Sequence, residues 1–387
     1  MADIKVKKNQ ALRIGFIGGG VDSAVGGVHR IAASMDGRWR LVSGCFSTID
    51  KINLQTGLSW GVEKNRIYPD WKRFLKAEKG RLDAVAVLTP TPAHERFVIS
   101  ALEQGYPVIC EKALGISSEE VARISATVKK TRGFLAVTYI YTGYPMLREL
   151  RAVIRKGSIG KINQVHIEMP QDGYVRLGKN NSKPKPQSWR LRDLRVPTLS
   201  LDLGVHLHQM VDFLTAEKPL EVVSTNDNFG IFKGIVDNTL CIARYSGGLV
   251  CHMWFGKTAF GHSNGLRIRV YGTKGSAEWF QLDPETLRLN DNVGRKISLE
   301  RSAASIEVAN QSRYTRFKAG HPAGFIEAFG NHYSDLADSL IEFKKKGKSS
   351  SRWVFGVDVA EKGLLMLEAM FASARKRSWQ RVKAPRK

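Results

Sequence analysis

Short continuous apolar runs alternate with helical segments along the first third of the chain. Three of these runs read "LRIGFIG", "DAVAVL" and "YPVIC", and glycine, proline or charged residues bound them. Such runs are typical of strands buried on both faces of a parallel sheet. In one helical segment, Ser117 and Glu120 have capping-box spacing, and Val121, Ile124 and Val128 share one helical face. The pattern predicts a doubly wound parallel sheet in an α/β fold.

Beyond residue 142 the pattern changes to strand-like segments, several with alternating apolar and polar positions. They include "LEVVSTNDNF", "NTLCIARYS", "LVCHMWF" and "LRIRVYG", and Gly247-Gly248 gives a hairpin signal between two of them. A late helix is predicted from Asp358 to Arg377, with leucine and methionine side chains facing the core. With 387 residues, the chain is longer than one core usually supports. We therefore expect two domains, at 1–142 and 143–387.

The chain is strongly basic, with 60 Lys and Arg against 36 Asp and Glu and a formal net charge of +24. An anionic substrate, nucleic acid or a solubilising surface could each explain this excess. Much of it lies in the tails, for example at Lys5, Lys7 and Arg386, and no nucleic-acid-binding motif accompanies it. No nucleic-acid partner is therefore expected.

Cysteine spacing and hydropathy bear on the compartment. The four cysteines lie far apart without a C-x-x-C pair, which predicts reduced thiols. No apolar run is long enough to cross a membrane, so we expect no membrane partner and a cytoplasmic location. No H-E-x-x-H or Cys/His pattern is present, so no metal is assigned.

A glycine-rich turn follows the first predicted strand and precedes a helix. Gly18 and Gly20 match the first two positions of G-x-G-x-x-G, and Ser23 stands at the third. The glycines of this fingerprint let the backbone approach a pyrophosphate, so the turn predicts a Rossmann dinucleotide-binding domain. No acidic residue directly ends the second strand; Ser47 stands there, with Asp50 and Lys51 further on. NAD and NADP both remain open.

Two further strands end in polar residues at the same predicted edge of the sheet. Thr89 and Pro90 end the strand Ala84–Leu88, and Glu111 and Lys112 follow Val108–Cys110. Ligands of open α/β sheets bind at the carboxyl ends of strands. Because adjacent residues of a strand point to opposite faces, Glu111 can meet the cofactor ribose while Lys112 faces the substrate. The alternative is an exposed Glu-Lys pair of little energetic consequence.

These motifs together resemble the Gfo/Idh/MocA oxidoreductases, named for glucose-fructose oxidoreductase and inositol dehydrogenase. The resemblance covers almost the whole chain and rests on the glycine turn, "TPTPAH" at 89–94, "CEKAL" at 110–114, "YTGYP", "QD" and "LDLGVH" at 201–206. It implies a second α/β domain with an open, mainly antiparallel sheet, and a homo-oligomer, either a dimer or a tetramer. Ala113 stands where the family usually has proline.

The resemblance also implies functional residues. The implied cofactor contacts are Gly18, Gly20, Ser23, Ser47, Thr89, Pro90, His94, Glu111 and Lys112. The implied substrate contacts are Tyr141, Tyr144, Gln171, Trp189 and Arg190, each of which could instead be a packed aromatic or an exposed polar residue.

Three residues are candidates for catalysis. His206 would take the hydroxyl proton, Asp202 would orient it or bind another hydroxyl, and Lys112 would donate to the reacting oxygen. Asp202 and His206 are four residues apart and would share one face of a helix. The alternative is a capping carboxylate and a packed histidine at a helix N-terminus.

The resulting hypothesis is an enzyme that moves a hydride between nicotinamide and a secondary hydroxyl of a sugar, cyclitol or sugar-nucleotide. One alternative uses the same cofactor for transient oxidation in epimerisation, elimination or glycoside cleavage. Another is a non-catalytic nucleotide- or nucleic-acid-binding protein. Basic residues between Tyr174 and Asp202 favour an anionic carbohydrate-like substrate, and a flexible lysine- and proline-rich loop explains them as well.

Overall fold

The computed structural model describes residues 11–385, so the basic residues expected in the N-terminal tail, Lys5 and Lys7, and Arg386 lie outside the described residues. By close contact the chain forms two units. Among the described residues, the first unit contains 11–111 with Ile124–Thr138 and Phe329–Val354, and the second unit contains the others. Residues 329–354 thus pack with the first unit although they lie far along the chain. The domain boundary after residue 142 stays a prediction.

The first unit is built on a five-stranded parallel sheet with the strand order β2-β1-β3-β4-β5. Its strands are β1 Leu12–Gly18, β2 Trp39–Cys45, β3 Ala84–Leu88, β4 Val108–Cys110 and β5 Leu135–Val137. The helices along this part of the chain are α1 Gly26–Ser34, α2 Asp50–Ser59, α3 Trp71–Ala77, α4 His94–Glu103 and α5 Ser118–Thr131. The predicted parallel sheet is confirmed, because its apolar runs are the buried strands.

The strand order reverses between β1 and β3, and in open α/β sheets ligands bind at such a point. The glycine turn follows β1 and Thr89 follows β3, so both motifs lie at the carboxyl edge where the order reverses. The topology therefore brings together two segments that are about 70 residues apart in sequence.

The second unit contains a nine-stranded sheet in the order β13-β12-β11-β10-β6-β9-β8-β7-β14. Neighbouring strands are antiparallel except for β6 and β9, which are parallel. The strands are β6 Ile162–Pro170, β7 Pro219–Asp227, β8 Asn238–Tyr245, β9 Val250–Gly256, β10 Arg267–Gly272, β11 Gly275–Phe280, β12 Asp283–Asp291, β13 Lys296–Glu300 and β14 Gln380–Arg381. The predicted open, mainly antiparallel sheet is confirmed.

Helices cover one face of this sheet. They are α6 Pro145–Arg155, α7 Val205–Thr215 and α9 Val357–Lys376. The remaining helix of the later chain, α8 Phe325–Lys346, belongs mostly to the first unit. Tyr245 of β8 points toward α9, where its hydroxyl contacts Met366 Sδ at 3.4 Å. Leu240 and Ile242 alternate with the buried residues of the same strand and remain 49% and 39% exposed. At these positions, the opposite face of the sheet is therefore left open by the residues that the structure describes.

Within residues 11–385, no helix is both long enough and apolar enough to cross a membrane.

Candidate active site

The glycine turn after β1 has a backbone that side chains would obstruct. Gly18 and Gly19 have φ values of +79° and +75°, a region that favours glycine. A Cβ on Gly18 would lie 2.8 Å from Thr89 Cγ2, so the turn and the segment after β3 are in contact. Gly20 accepts a hydrogen bond at its carbonyl from the Ser23 N–H.

The close approach of helix and turn occurs at a residue that the sequence fingerprint did not identify. A Cβ on Gly26, the first residue of α1, would lie 1.8 Å from the Gly19 carbonyl oxygen. Ser23 instead lies in the turn, where its Oγ accepts the Val25 N–H at 3.3 Å. The G-x-G-x-x-G spacing therefore selected Ser23 although the tight contact belongs to Gly26, three residues later. A contact of Ser23 with the cofactor stays a prediction.

The residues that follow β3 lie beside the glycine turn at the carboxyl edge of the parallel sheet. Thr89 Oγ1 is buried and has no hydrogen-bond partner among the described residues. A buried hydroxyl without a partner is uncommon, and it fits a polar ligand group next to the glycine turn. His94 is fully buried, and its Nε2 hydrogen-bonds the Thr89 carbonyl oxygen at 2.7 Å. His94 thus holds the Thr89 segment in place, whereas Pro90 is exposed.

Ser47, at the end of β2, is half-buried and its Oγ accepts the Ile49 N–H at 3.2 Å. This bond lies just ahead of α2, which begins at Asp50. The expected contact of Ser47 with the cofactor stays a prediction.

Glu111 belongs to a buried hydrogen-bond network. Its Oε1 accepts bonds from His29 Nε2 at 2.9 Å and from the Thr138 hydroxyl, and His29 Nδ1 meets the Tyr333 hydroxyl at 2.8 Å. Only 7% of Glu111 is exposed. It is therefore not the exposed partner of Lys112, and its contact with the cofactor ribose stays a prediction.

Lys112 directly contacts Asp202, 90 residues away in the chain. The Lys112 ammonium donates to the Asp202 carbonyl oxygen at 2.7 Å and to Asp202 Oδ1 at 3.0 Å. The Lys112–Ala113 peptide bond is cis. The structure thus brings together two of the three residues predicted for catalysis.

Asp202 lies in a π-helical turn, Ser200–Gly204, that leads directly into α7. Such turns occur frequently at functional sites because they change the direction of a side chain within a helix. Gly204 is required for packing, since a Cβ there would lie 2.9 Å from Leu367 and 3.0 Å from Phe255. Gly204 thus lets this turn lie close to the neighbouring helix and strand.

His206 lies in the first turn of α7 and is 5% exposed. Its ring meets the Tyr141 ring edge-on, with centroids 4.7 Å apart and planes at 90°. Asn264 Nδ2 donates to the Tyr141 hydroxyl at 3.4 Å, and Gln171 Nε2 donates to Asn264 Oδ1 at 3.3 Å. The predicted residues Gln171, Tyr141 and His206 therefore form one connected group through Asn264, which sequence reasoning missed.

Asp202 has two further cationic partners. Arg190 forms an ion pair with Asp202 Oδ2, and Lys257 Nζ donates to the same oxygen at 2.6 Å. The Arg190 guanidinium stacks over the Trp189 ring, 4.6 Å from its centroid. Sequence reasoning identified Arg190 and Trp189 but missed Lys257, because a single lysine after a strand belongs to no motif.

The pKa values of this cluster follow from burial and charge. Burial opposes ionisation of the Asp202 carboxyl, but Lys112, Lys257 and Arg190 outweigh it and hold the pKa of Asp202 well below its usual range. The pKa of Lys257 is lowered, first by burial and also by the charges of Arg190 and Lys112. An ion pair alone would raise the pKa of a lysine; here three cations share one carboxylate.

Tyr144 stacks on Tyr141, with ring centroids 6.4 Å apart and ring planes at 11°. It is 2% exposed, its ring packs 5.1 Å from the Trp279 ring, and its hydroxyl accepts a bond from Gln281 at 3.3 Å. Burial raises the pKa of Tyr144 to about 12. Tyr144 is thus packed among aromatic and polar side chains, and its expected contact with the substrate stays a prediction.

Two family models match the chain. Residues 12–139 match the model described as an oxidoreductase family with an NAD-binding Rossmann fold, and residues 147–278 match the GFO/IDH/MocA C-terminal domain. The chain is also 30% identical over 341 residues to an uncharacterized oxidoreductase, YfiI, of Bacillus subtilis (strain 168), which covers 86% of each protein. The chain belongs to the GFO/IDH/MocA oxidoreductases. The predicted family is confirmed.

A further relative and a solved structure resemble this chain over most of its length. A myo-inositol 2-dehydrogenase of Thermotoga maritima is 25% identical over 300 residues, covering 74% of this chain and 76% of that enzyme. The crystal structure of an inositol dehydrogenase homolog from Azotobacter vinelandii, complexed with NADH and myo-inositol, superposes with a TM-score of 0.87 at 25% identity, covering 96% and 98% of the two chains. This GFO/IDH/MocA protein is thus an oxidoreductase with an NAD-binding domain, which confirms the predicted enzyme class and nicotinamide cofactor.

The neighbour of the predicted base, His208, has a different environment. It is fully buried on α7, and neither ring nitrogen has a hydrogen-bond partner in the part of the chain that the structure describes. Burial, aided by Lys362 and opposed by Asp212, lowers the pKa of His208 from 6.5 to about 4. Among residues 11–385, no group of three or more His, Cys, Asp or Glu could hold a metal ion.

We expect His208 to make folding stability depend on pH. The unfolded chain binds a proton at this histidine more readily than the folded protein does, so the free energy of unfolding falls as pH drops from 6.5 to about 4. The full loss attributable to His208 is about 3 kcal/mol. Urea unfolding across this pH range should show a shallower dependence in His208→Leu than in the wild type. Equal dependence in both proteins would contradict the prediction.

Proposed function

We propose that this protein is a dehydrogenase that moves a hydride between NAD and a secondary hydroxyl of a sugar, cyclitol or sugar-nucleotide. The supporting observation is the Lys112–Asp202 pair, with His206 in the adjoining turn of α7. The family and the inositol- and NADH-bound neighbour support the substrate class, which remains a proposal for this chain.

Each residue of the group would act on a defined atom. Lys112 uses two of its three N–H protons on Asp202, and the third would donate to the reacting substrate oxygen. That bond stabilises the developing negative charge on the oxygen. The ionised Asp202 fixes the position of the ammonium.

His206 would accept the hydroxyl proton as a general base. Tyr141, packed edge-on against the imidazole, fixes the plane of the ring. When bound, NAD supplies the acceptor for the hydride that leaves the carbon. The alcohol thereby becomes a ketone, with one proton transferred to His206 and two electrons transferred with the hydride.

The residues of the first unit fit a dinucleotide. Gly18, Gly19 and Gly26 leave the backbone of the turn accessible, and Thr89 Oγ1 offers a buried hydroxyl beside it. These groups would bind the pyrophosphate and its neighbouring atoms through backbone N–H groups.

A screen for cofactor reduction tests this function. The purified protein is incubated with NAD or NADP and with myo-inositol, neutral hexoses, hexose phosphates or nucleotide-sugars, and the absorbance of reduced nicotinamide is recorded. We expect reduced NAD to accumulate with at least one polyol. Conversion of a substrate without accumulation of reduced nicotinamide would instead indicate transient oxidation, and conversion of none of these classes would contradict the proposal. The non-catalytic alternative is set aside because the chain belongs to an oxidoreductase family.

We also propose a homo-oligomer, a dimer or a tetramer. The open face of the nine-stranded sheet supports it, because Leu240 and Ile242 are exposed there beside a close pair of histidine rings, His166 and His252, with centroids 4.5 Å apart. The cytoplasmic location stays a prediction.

A further inference from the structure

Phe325 is an accessible aromatic residue beside the group that contains the candidate base. Its ring centroid lies 6.3 Å from that of Tyr141, and the Tyr141 ring in turn meets the His206 ring edge-on at 4.7 Å. Tyr141 and His206 are each 5% exposed, whereas Phe325 is 41% exposed. Phe325 thus adds accessible apolar surface next to two buried rings that the proposed function already uses.

A single exposed apolar side chain is common and needs no explanation by itself. Phe317 is an example, since it is 40% exposed and its ring lies 6.2 Å from the ring of His321, which is also exposed. Phe325 differs because its ring adjoins the buried Tyr141 ring. Phe317 is therefore a matched reference, with the same residue type and similar exposure in other surroundings.

The start of α8 sets the position of Phe325, which is the first residue of that helix. The Gly324 N–H donates to Glu327 Oε2 at 2.8 Å, and the Ala328 N–H donates to the Gly324 carbonyl oxygen at 3.1 Å. A glutamate that reaches back in this way forms one half of a capping box and satisfies an N–H group at the helix terminus. Phe325 is thus held in a closed first turn of the helix.

The first turn of α8 also packs closely against the segment that carries Tyr141. That segment is the short helical turn Ile140–Gly143. A Cβ on Gly143 would lie 2.0 Å from the Ala328 carbonyl oxygen, so glycine is required for this approach. The contact explains why the rings of Tyr141 and Phe325 meet although they are far apart in sequence.

A row of aromatic rings supports Phe325 from behind. Trp279 packs on Tyr144 with ring centroids 5.1 Å apart, and Tyr144 stacks on Tyr141 at 6.4 Å. These three residues are at most 5% exposed, so the row is buried until it reaches Phe325. An aromatic wall held in this way loses little conformational freedom when a ligand binds against it.

A cyclic polyol presents two kinds of surface to a protein. Its hydroxyl groups lie around the rim, where polar side chains bind them, and C–H hydrogens with a small positive charge cover parts of the ring faces. The face of an aromatic ring is apolar and carries partial negative charge, so it attracts such C–H groups and removes them from water. An open-chain polyol must lose more conformational freedom to present its C–H groups together.

We propose that Phe325 determines specificity by binding the C–H face of a cyclic polyol, a pyranose or a cyclitol, and thereby selects it over open-chain polyols. The polar edge of the same ligand would meet the group formed by Gln171, Asn264 and Tyr141. Such a combination of aromatic surface and a few polar groups is typical of small-molecule sites. The oxidation of the ligand rests on the proposed dehydrogenase function; its contact with Phe325 does not.

Matched polyols test the proposal by turnover. myo-Inositol and glucose are cyclic, and glucitol is an open chain with the same number of carbon atoms. We expect wild-type kcat/KM to be at least about fivefold higher for one of the two cyclic compounds than for glucitol. A smaller ratio for both cyclic compounds would overturn the proposal.

Variants assign the preference to the Phe325 ring. Phe325→Ala should lower the ratio of kcat/KM for the cyclic compound to kcat/KM for glucitol by about tenfold. The loss should appear mainly as a higher KM, because His206 and Lys112 remain in place. Phe325→Tyr keeps the aromatic face and should retain most of the ratio, and Phe317→Ala should not change it. An unchanged ratio in Phe325→Ala would contradict the proposed contact.

A binding measurement separates this proposal from the function on which part of it rests. Calorimetric titration of the full-length protein, saturated with NADH, with myo-inositol, glucose and glucitol requires no turnover. Saturable binding of a cyclic compound that weakens in Phe325→Ala but not in Phe317→Ala supports the contact even if no substrate is oxidised. Oxidation of polyols with equal binding in Phe325→Ala and the wild type leaves the dehydrogenase function standing and overturns the role of Phe325.

Discussion

Lys112→Met is expected to lower the rate of hydride transfer at least about a hundredfold while leaving NAD affinity largely unchanged. Methionine has a similar length but no N–H donor, so the bonds to Asp202 and the proposed bond to the reacting oxygen are both lost. Single-turnover stopped-flow absorbance gives the transfer rate, and fluorescence titration gives the affinity for reduced nicotinamide.

Two comparisons make the result for Lys112 specific. Lys233→Met should turn over at the wild-type rate, because that lysine is exposed and contacts the Gly230 carbonyl oxygen of its own loop. Lys112→Arg keeps the positive charge but changes its shape, so a rate close to wild type would show that charge alone matters. Transfer in Lys112→Met at the wild-type rate would remove Lys112 from the proposed mechanism.

His206→Ala is expected to lower kcat by about a hundredfold to ten-thousandfold, the range typical of a lost general base. The pH dependence of kcat/KM should also lose its acidic limb, because that limb reports ionisation of the base in the free enzyme. Added imidazole should restore part of the activity if the space left by the ring is accessible. Steady-state kinetics across pH measures all three effects.

The histidine prediction has its own control. His321→Ala removes an exposed histidine that packs near Phe317, and it should not change the pH profile. A lower rate in His206→Ala with an unchanged pH profile would indicate that His206 only packs against Tyr141. That outcome would restore the alternative of a buried structural histidine.

The elements of the fold were largely predictable from the chain, because each depends on local patterns. Ala84–Leu88 and Val108–Cys110 are continuous apolar runs, and the structure has these same residues as β3 and β4. The hairpin at Gly247-Gly248 joins β8 and β9 as expected, since glycine permits its positive φ values. The capping-box spacing of Ser117 and Glu120 also corresponds to a contact in the structure. The Glu120 N–H donates to Ser117 Oγ at 3.3 Å, at the start of α5.

The candidate site was predictable only in part, and the missing residues share one cause. Lys257 lies 55 residues from Asp202, and Asn264 lies 93 residues from Gln171. Neither belongs to a motif, so only the pairing of β6, β8 and β9 brings them to the site. Gly26 was missed for a related reason: the fingerprint fixes a spacing, whereas the length of this turn places the contact three residues later.

The sequence by itself determined the class of protein, because apolar runs, the glycine turn and the Lys112, Asp202 and His206 motifs are local. It indicated that a basic segment lies close in sequence to the candidate base, but not which charged side chains contact each other. Only the tertiary structure decided that Lys112, Arg190 and Lys257 converge on one carboxylate, and that Glu111 is buried with His29 and Thr138. The physical reason is that the strength of an ion pair depends on distance and burial, and long-range strand pairing sets both.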